Sequence, residues 1–147
     1  MDTARDVGHE RAVRPLRLTV AAVVVAALAF GVVTLIALEG EEVVVVRTGA
    51  PGSAEHATRT WIADADGTAW IEAANPERPF LHDLERDPTM RLERHGALRR
   101  CRAAILPNPD GHRRIRELLA ARYGWADRWI ALVADTRRSV AVRLECE

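Results

Sequence analysis

From Leu18 to Leu38 every residue is Ala, Val, Leu, Ile or Phe except Thr19, Gly31 and Thr34, and none is charged. The apolar positions form no stripe. They cover all sides of a helix, which suits lipid better than one face of a soluble core. At 1.5 Å per residue such a helix reaches about 30 Å, the depth of a bilayer's hydrocarbon layer. The rivals are a buried soluble helix and a cleaved signal peptide. A signal peptide has a shorter apolar region followed by a small-x-small cleavage site, whereas this run ends in Ile36-Ala37-Leu38-Glu39-Gly40-Glu41. The pattern therefore predicts a tail over 1–17, a retained transmembrane helix over 18–38 and a domain over 43–147.

After Gly40 the period changes to that of short strands. Val43 to Thr48 is a β-branched run, followed by turn residues Gly49-Ala50-Pro51-Gly52-Ser53. Thr58 to Asp64 alternates, and Asp64-Ala65-Asp66-Gly67 signals a hairpin into Thr68 to Ala74. Asn75-Pro76 ends that strand; Pro79 opens a short helix to Arg86, closed by Asp87-Pro88. Thr89 to His95 places Met90 and Leu92 on one face, and Gly96 turns it into a strand from Leu98 to Leu106. Helical patterns follow over His112 to Arg122 and again from Trp125 through Trp129 and Leu132, separated by Tyr123-Gly124. Ser139 to Cys146 is a last strand with Val140, Val142 and Leu144 together. The fold class is α+β, mainly β. Six short, mostly antiparallel strands must curl to bury their apolar faces, and a small barrel also removes exposed edges.

Composition changes this picture in a few places. Across 147 residues, 21 basic and 21 acidic side chains give a formal charge of +0, so no global field draws in nucleic acid. All the basic residues are Arg, so Schiff-base chemistry on Lys is excluded. Arg11, Arg14 and Arg17 precede the apolar run while Glu39, Glu41 and Glu42 follow it. The positive-inside rule then puts the N-terminus in the cytoplasm and the domain outside. Cys101 and Cys146 have no CxxC spacing and are read as two buried thiols, with a disulfide as the alternative. The five histidines show no metal-ligand spacing, so no metal is assigned. Ser53 and Ser139 lie in no nucleophile motif.

Val43-Val44-Val45-Val46-Arg47-Thr48-Gly49, Arg59 in the second strand and Arg78-Pro79-Phe80-Leu81-His82-Asp83-Leu84-Glu85-Arg86-Asp87-Pro88 resemble the deazaflavin-dependent nitroreductase family. The stretch Arg122-Tyr123-Gly124-Trp125-Ala126-Asp127-Arg128-Trp129 through Asp135-Thr136-Arg137-Arg138-Ser139-Val140 is similar to its membrane-anchored nitroreductase or quinone reductase branch. The resemblance implies a six-stranded split β-barrel of the pyridoxamine-phosphate oxidase type. It also implies an 8-hydroxy-5-deazaflavin coenzyme or FMN, and hydride transfer to nitroaromatics, quinones or enones. The strand carrying Cys101 would then pair with the last strand, which brings Cys146 close.

The carry-over is partial. Where the family has Gly-Arg-Lys-Ser-Gly for phosphate, this chain has Gly49-Ala50-Pro51-Gly52-Ser53, with both basic residues gone. Arg59 falls at a second phosphate-binding position. Ala74 and Asn75 match the strand end that faces the ring system, and Phe80-Leu81-His82-Asp83 aligns with Trp-Tyr-His-Asn. Arg78 precedes a helix whose first N–H groups suit an anion. Arg59 and Trp61 share a strand face, and Trp61, Phe80 and Trp125 or Trp129 are candidate ring walls. Tyr123 is the candidate proton donor to the reduced acceptor. Each has a plainer reading, as a solvated strand residue, a core aromatic or a helix-end packing residue.

The function expected is that of a membrane-anchored oxidoreductase. The alternatives are a non-catalytic split-barrel module that has lost its phosphate site, and a structural subunit of a membrane complex. The expected partners are the lipid bilayer and a small acceptor such as a quinone, with a homodimer as the candidate assembly and no nucleic acid.

Overall fold

Helix α1 runs Val7–Glu39 in the computed structural model, which describes residues 7–49 and 54–147. Its segment Leu16–Glu39 is long and apolar enough to cross a membrane. Val23, Leu28 and Leu35 stand exposed on it, as a lipid-facing helix requires. Thr34 donates its hydroxyl to the carbonyl of Phe30 at 2.8 Å, so that polar group is satisfied within the helix. The chain divides into two units, Met1–Ile36 and Ala37–Glu147. Of the turn expected over 49–53, residues 50–53 lie outside the described residues, as do residues 1–6 of the tail.

The second unit is a closed antiparallel barrel. Among the described residues its strands are β1 (Val43–Thr48), β2 (His56–Ala65), β3 (Thr68–Ala73), β4 (Thr89–Arg94), β5 (Ala97–Ile105) and β6 (Val140–Cys146). They close in the order β1-β2-β3-β6-β5-β4. Helix α2 (Pro79–Arg86) lies between β3 and β4; α3 (Asp110–Tyr123) and α4 (Trp125–Val133) lie between β5 and β6. Two hairpins turn through residues with positive φ. Asp66 and Gly67 take +54° and +74°, His95 and Gly96 take +52° and +74°, the pairing a two-residue turn between twisted strands demands.

The barrel interior is apolar. Val44 and Val46, Ile62, Ile71, Met90 and Leu92, Ala103, Val142 and Leu144 point inward, and α2 adds Phe80, Leu81 and Leu84. The alternation expected for β4 is thus borne out; in β6 Val140, Val142 and Leu144 share the inner face as expected, but Ala141 between them is buried as well. In β2, by contrast, Trp61, Ile62 and Ala63 are buried in succession. Alternation fails there because a second core covers the outside of the sheet: Trp61, Ala63, Trp70 and Ala141 pack under Ile115, Leu119 and Tyr123 of α3 and Ala126 of α4.

Cys101 and Cys146 sit directly opposite each other in the β5–β6 register and are joined as a disulfide. This corrects the expectation of two thiols. Spacing along the chain carried no sign of the bond, because the residues meet only once β6 is inserted between β3 and β5.

At the β2–β3 and β4–β5 turn end, Arg94 bonds both Glu42 (2.6 Å) and Asp64 (2.7 Å), and Arg122 also contacts Glu42. The Arg94 hydrogen bond, opposed by partial burial, holds both carboxyls below their ordinary values of 4.5 and 3.8. A depressed folded-state pKa stabilises above the unfolded value and the contribution is lost as pH falls through the folded one. Stability should therefore hold from neutral pH down to about 4.5 and decline below it. An Arg94→Gln variant should be less stable at pH 7 and converge on the natural protein in acid. Denaturation midpoints measured across that range check this; parallel curves would show that the network contributes nothing.

Candidate functional site

Strand β2 leaves the barrel with Arg59 and Trp61 on its outer face, and α2 begins where β3 ends. These elements border one open cavity of about 230 Å³, lined by Arg59, Trp61, Ala74, Arg78 and Phe80 together with Leu38, Glu39, Glu72 and Ile130. Enclosed ligand pockets usually hold roughly 300–1,000 Å³, so a ligand here would lie partly on the surface. A larger cavity of about 670 Å³ opens beside Arg94, His95 and Leu144. It contains no Trp, Tyr or Phe, and Arg94 is already engaged by carboxylates.

The cavity is lined by two carboxylates, Glu39 and Glu72, and two guanidiniums, Arg59 and Arg78. Arg59 Nη2 lies 2.5 Å from Glu39, both side chains being more than half exposed. Glu72 is held at 3.0 Å by Arg116, which also binds Asp127. Arg78 has no carboxylate partner among the described residues. Its position is set by the chain: its N–H points to the carbonyl of Asn75 at 3.4 Å, and its own carbonyl receives Leu81 N–H at 3.0 Å, the first turn of α2. Pro79 at the first helical position has no N–H of its own to satisfy, and no side chain caps this end of the helix. Arg78, a releasable Arg59 and the start of α2 together suit an anion such as a phosphate.

Trp61 is 9% exposed; its indole Nε1 donates to the carbonyl of Leu38 at 3.4 Å. Phe80 is fully buried and forms floor rather than wall. Asn75 does not line the cavity; its side-chain oxygen accepts the N–H of Glu77 at 3.1 Å and fixes the turn before α2. Trp125 and Trp129 are likewise outside the lining. Tyr123 is 4% exposed, its ring centroid 4.8 Å from that of Trp61. Its hydroxyl donates to the carbonyl of Ile62 and lies 3.2 Å from the carbonyl of Glu42. Burial pushes the Tyr123 hydroxyl above its ordinary pKa. The Tyr123 hydroxyl thus meets backbone acceptors behind Trp61 and does not line the cavity.

Sequence reasoning missed Glu39, Glu72 and Ile130. Glu72 carried a signal, the one charge in the strand Thr68–Ala73. Glu39 and Ile130 carried none, since only the tertiary fold brings the helix end and α4 to β2.

No protein-family profile matches the chain, and a search of curated proteins returns no match. Solved structures do resemble it. A conserved hypothetical protein from Mycobacterium tuberculosis is 19% identical with a TM-score of 0.53, covering 80% of this chain and 79% of that one. A candidate pyridoxamine 5′-phosphate oxidase from Listeria innocua is 17% identical with a TM-score of 0.52, covering 77% and 90%. A FAD-binding protein from Mesorhizobium loti is 14% identical with a TM-score of 0.50, covering 76% and 83%. At such identities the likeness is one of fold: the domain is a six-stranded split barrel.

Proposed function

We propose that this chain is a membrane-anchored oxidoreductase whose barrel binds a flavin or deazaflavin coenzyme at the Arg59 cavity and reduces a small or membrane-soluble acceptor such as a quinone. The observation that carries this reading is the convergence of Arg59, Trp61, Ala74, Arg78 and Phe80 on one cavity. That a split-barrel protein of similar fold is described as FAD-binding supports it further.

The donor set fits the anionic end of such a group. Arg78 is free to accept a phosphate, and Arg59 must first leave Glu39. An exposed ion pair contributes about 0–1 kcal/mol, whereas a charge-assisted hydrogen bond to a buried or partly buried phosphate contributes roughly 1.5–3 kcal/mol. The exchange therefore favours the phosphate. Trp61, braced by Tyr123, offers the edge of its indole to a ring, and Phe80 and Ala74 supply the apolar floor. When bound, a reduced coenzyme of this type supplies a hydride. Leu38 and Ile130 keep one side of the cavity apolar, where an acceptor dissolved in lipid could approach.

The second reading is a non-catalytic module. It is favoured by Gly49-Ala50-Pro51-Gly52-Ser53, which lacks the family's basic pair. Titrating the full chain in detergent with FMN and with deazaflavin, by fluorescence quenching, separates the two. Arg59→Ala should raise the dissociation constant by about one to two orders of magnitude while changing stability by no more than about 0.5 kcal/mol. Glu39→Gln should tighten binding by releasing Arg59. If the unmutated protein saturates with neither ligand, the oxidoreductase reading fails and the non-catalytic barrel takes its place.

A further inference from the structure

Helix α4 has an apolar side that the barrel covers only in part. Its inner side carries Ala126, fully buried, and Asp127, 4% exposed and bonded to Arg116. Trp125, Leu132 and Val133 stand exposed beside it, and with the half-buried Trp129 between them they follow the i, i+4, i+7, i+8 spacing of a single helical stripe. Trp125 is 48% exposed, Leu132 81% and Val133 42%. Arg128 borders the stripe and has no carboxylate partner among the described residues. Large apolar side chains grouped this way on a surface mark a contact with another phase or partner.

The chain itself indicates which. Ala37, Leu38 and Glu39, where the apolar helix ends, belong to the barrel unit. Ala37 is fully buried in the same cluster as Trp61 and Ala126, against which Trp129 and Ile130 pack. Leu38 and Ile130 line one cavity. The end of an apolar span is the level at which lipid headgroups begin, so α4 is held at that level by the cluster it shares. We propose that the Trp125, Trp129, Leu132 and Val133 face of α4 lies in the headgroup–acyl boundary of the bilayer that α1 crosses. Indole rings prefer that depth, where one edge is apolar and the other wet, and Arg128 meets the lipid phosphates beside it. The mouth of the Arg59 cavity, which shares Ile130 with this helix, is then presented to the membrane surface. The inference rests on the membrane-anchored reading and is independent of the coenzyme.

The test uses the full chain in nanodiscs of phosphatidylcholine with phosphatidylglycerol, made with and without brominated phosphatidylcholine. The emission of Trp125 is taken as the difference between the natural protein and Trp125→Phe. That component should be blue-shifted in discs relative to detergent and quenched by the brominated lipid. The double variant Leu132→Asp, Val133→Asp should lose the quenching while remaining resistant to carbonate extraction. Unquenched Trp125 in discs that retain the protein overturns the proposal and leaves the anchor standing. So does finding two copies per disc with Trp125 blue-shifted but unquenched, which assigns the stripe to a second copy. Protein released by carbonate overturns the anchor as well.

Discussion

Replacing Arg116 by Met should cost about 3–5 kcal/mol of barrel stability, the usual consequence of removing one partner from a buried ion group. Arg116 projects from α3 into the seam between β3 and α4, its side chain 17% exposed, with Glu72 at 13% and Asp127 at 6%. Burial alone works against its charge, yet the two carboxylates outweigh that and raise its pKa. Without the guanidinium, Glu72 and Asp127 would share a poorly hydrated space with no cation between them. Two links would break together. Helix α4 would lose the contact fixing Asp127 in its first turn, and the cavity would gain the uncompensated charge of Glu72, which should also weaken any anion bound by Arg59 and Arg78. Chemical denaturation of Arg116→Met and of the triple variant with Glu72→Gln and Asp127→Asn separates charge from packing. The triple variant should recover most of the loss, because neutral amides of the same shape need no counter-ion. A single variant within about 0.5 kcal/mol of the natural protein would show that water reaches the group and that it behaves as an ordinary surface cluster.

The readability of this fold in its sequence differs from element to element for physical reasons. β1 and α2 were legible to the residue, over Val43–Thr48 and Pro79–Arg86, because a β-branched run and a Pro-initiated, Pro-terminated helix are local signals. β4 and β6 were legible through alternation, since one face of each meets the interior. β2 was harder: both faces are buried over Trp61 to Ala63, and the reason, a second core under α3 and α4, is tertiary. The cavity was legible in its cationic half, where Arg59 and Arg78 stand beside turn and helix-start signals. Its counter-charges were not. Glu39 reads as the polar end of a transmembrane run, and nothing in that run announces that it will close on Arg59. The surroundings of Tyr123 were hidden for a related reason. A lone tyrosine at a helix break has the same local appearance whether its hydroxyl faces a substrate or the carbonyl of Ile62.

The disulfide carries the other large expected effect, and it bears on where the barrel resides. Cys101 and Cys146 are separated by 45 residues in sequence, and closing a loop of that length should stabilise the fold by about 4 kcal/mol through the lost freedom of the unfolded chain. The bond ties β5 to the end of β6, the strand that completes the barrel, so its loss should fray the β5–β6 edge first. Cys101 is 2% exposed, so Cys101→Ala with Cys146→Ser isolates the cross-link while burying no new hydroxyl. Comparing that variant with oxidised and with reduced natural protein should give one low midpoint for the variant and the reduced form, and a higher one for the oxidised form. Structural disulfides persist in oxidising compartments. By the positive-inside rule, Arg11, Arg14 and Arg17 ahead of the apolar run of α1 would put the barrel on that side, so the two observations make a joint prediction. Protein alkylated in intact native cells, then unfolded without reductant, should present no free thiol. Two alkylated cysteines would put the barrel in the cytoplasm, reverse the orientation drawn from Arg11, Arg14 and Arg17, and bring the Arg59 cavity to the side of the membrane where flavins are made.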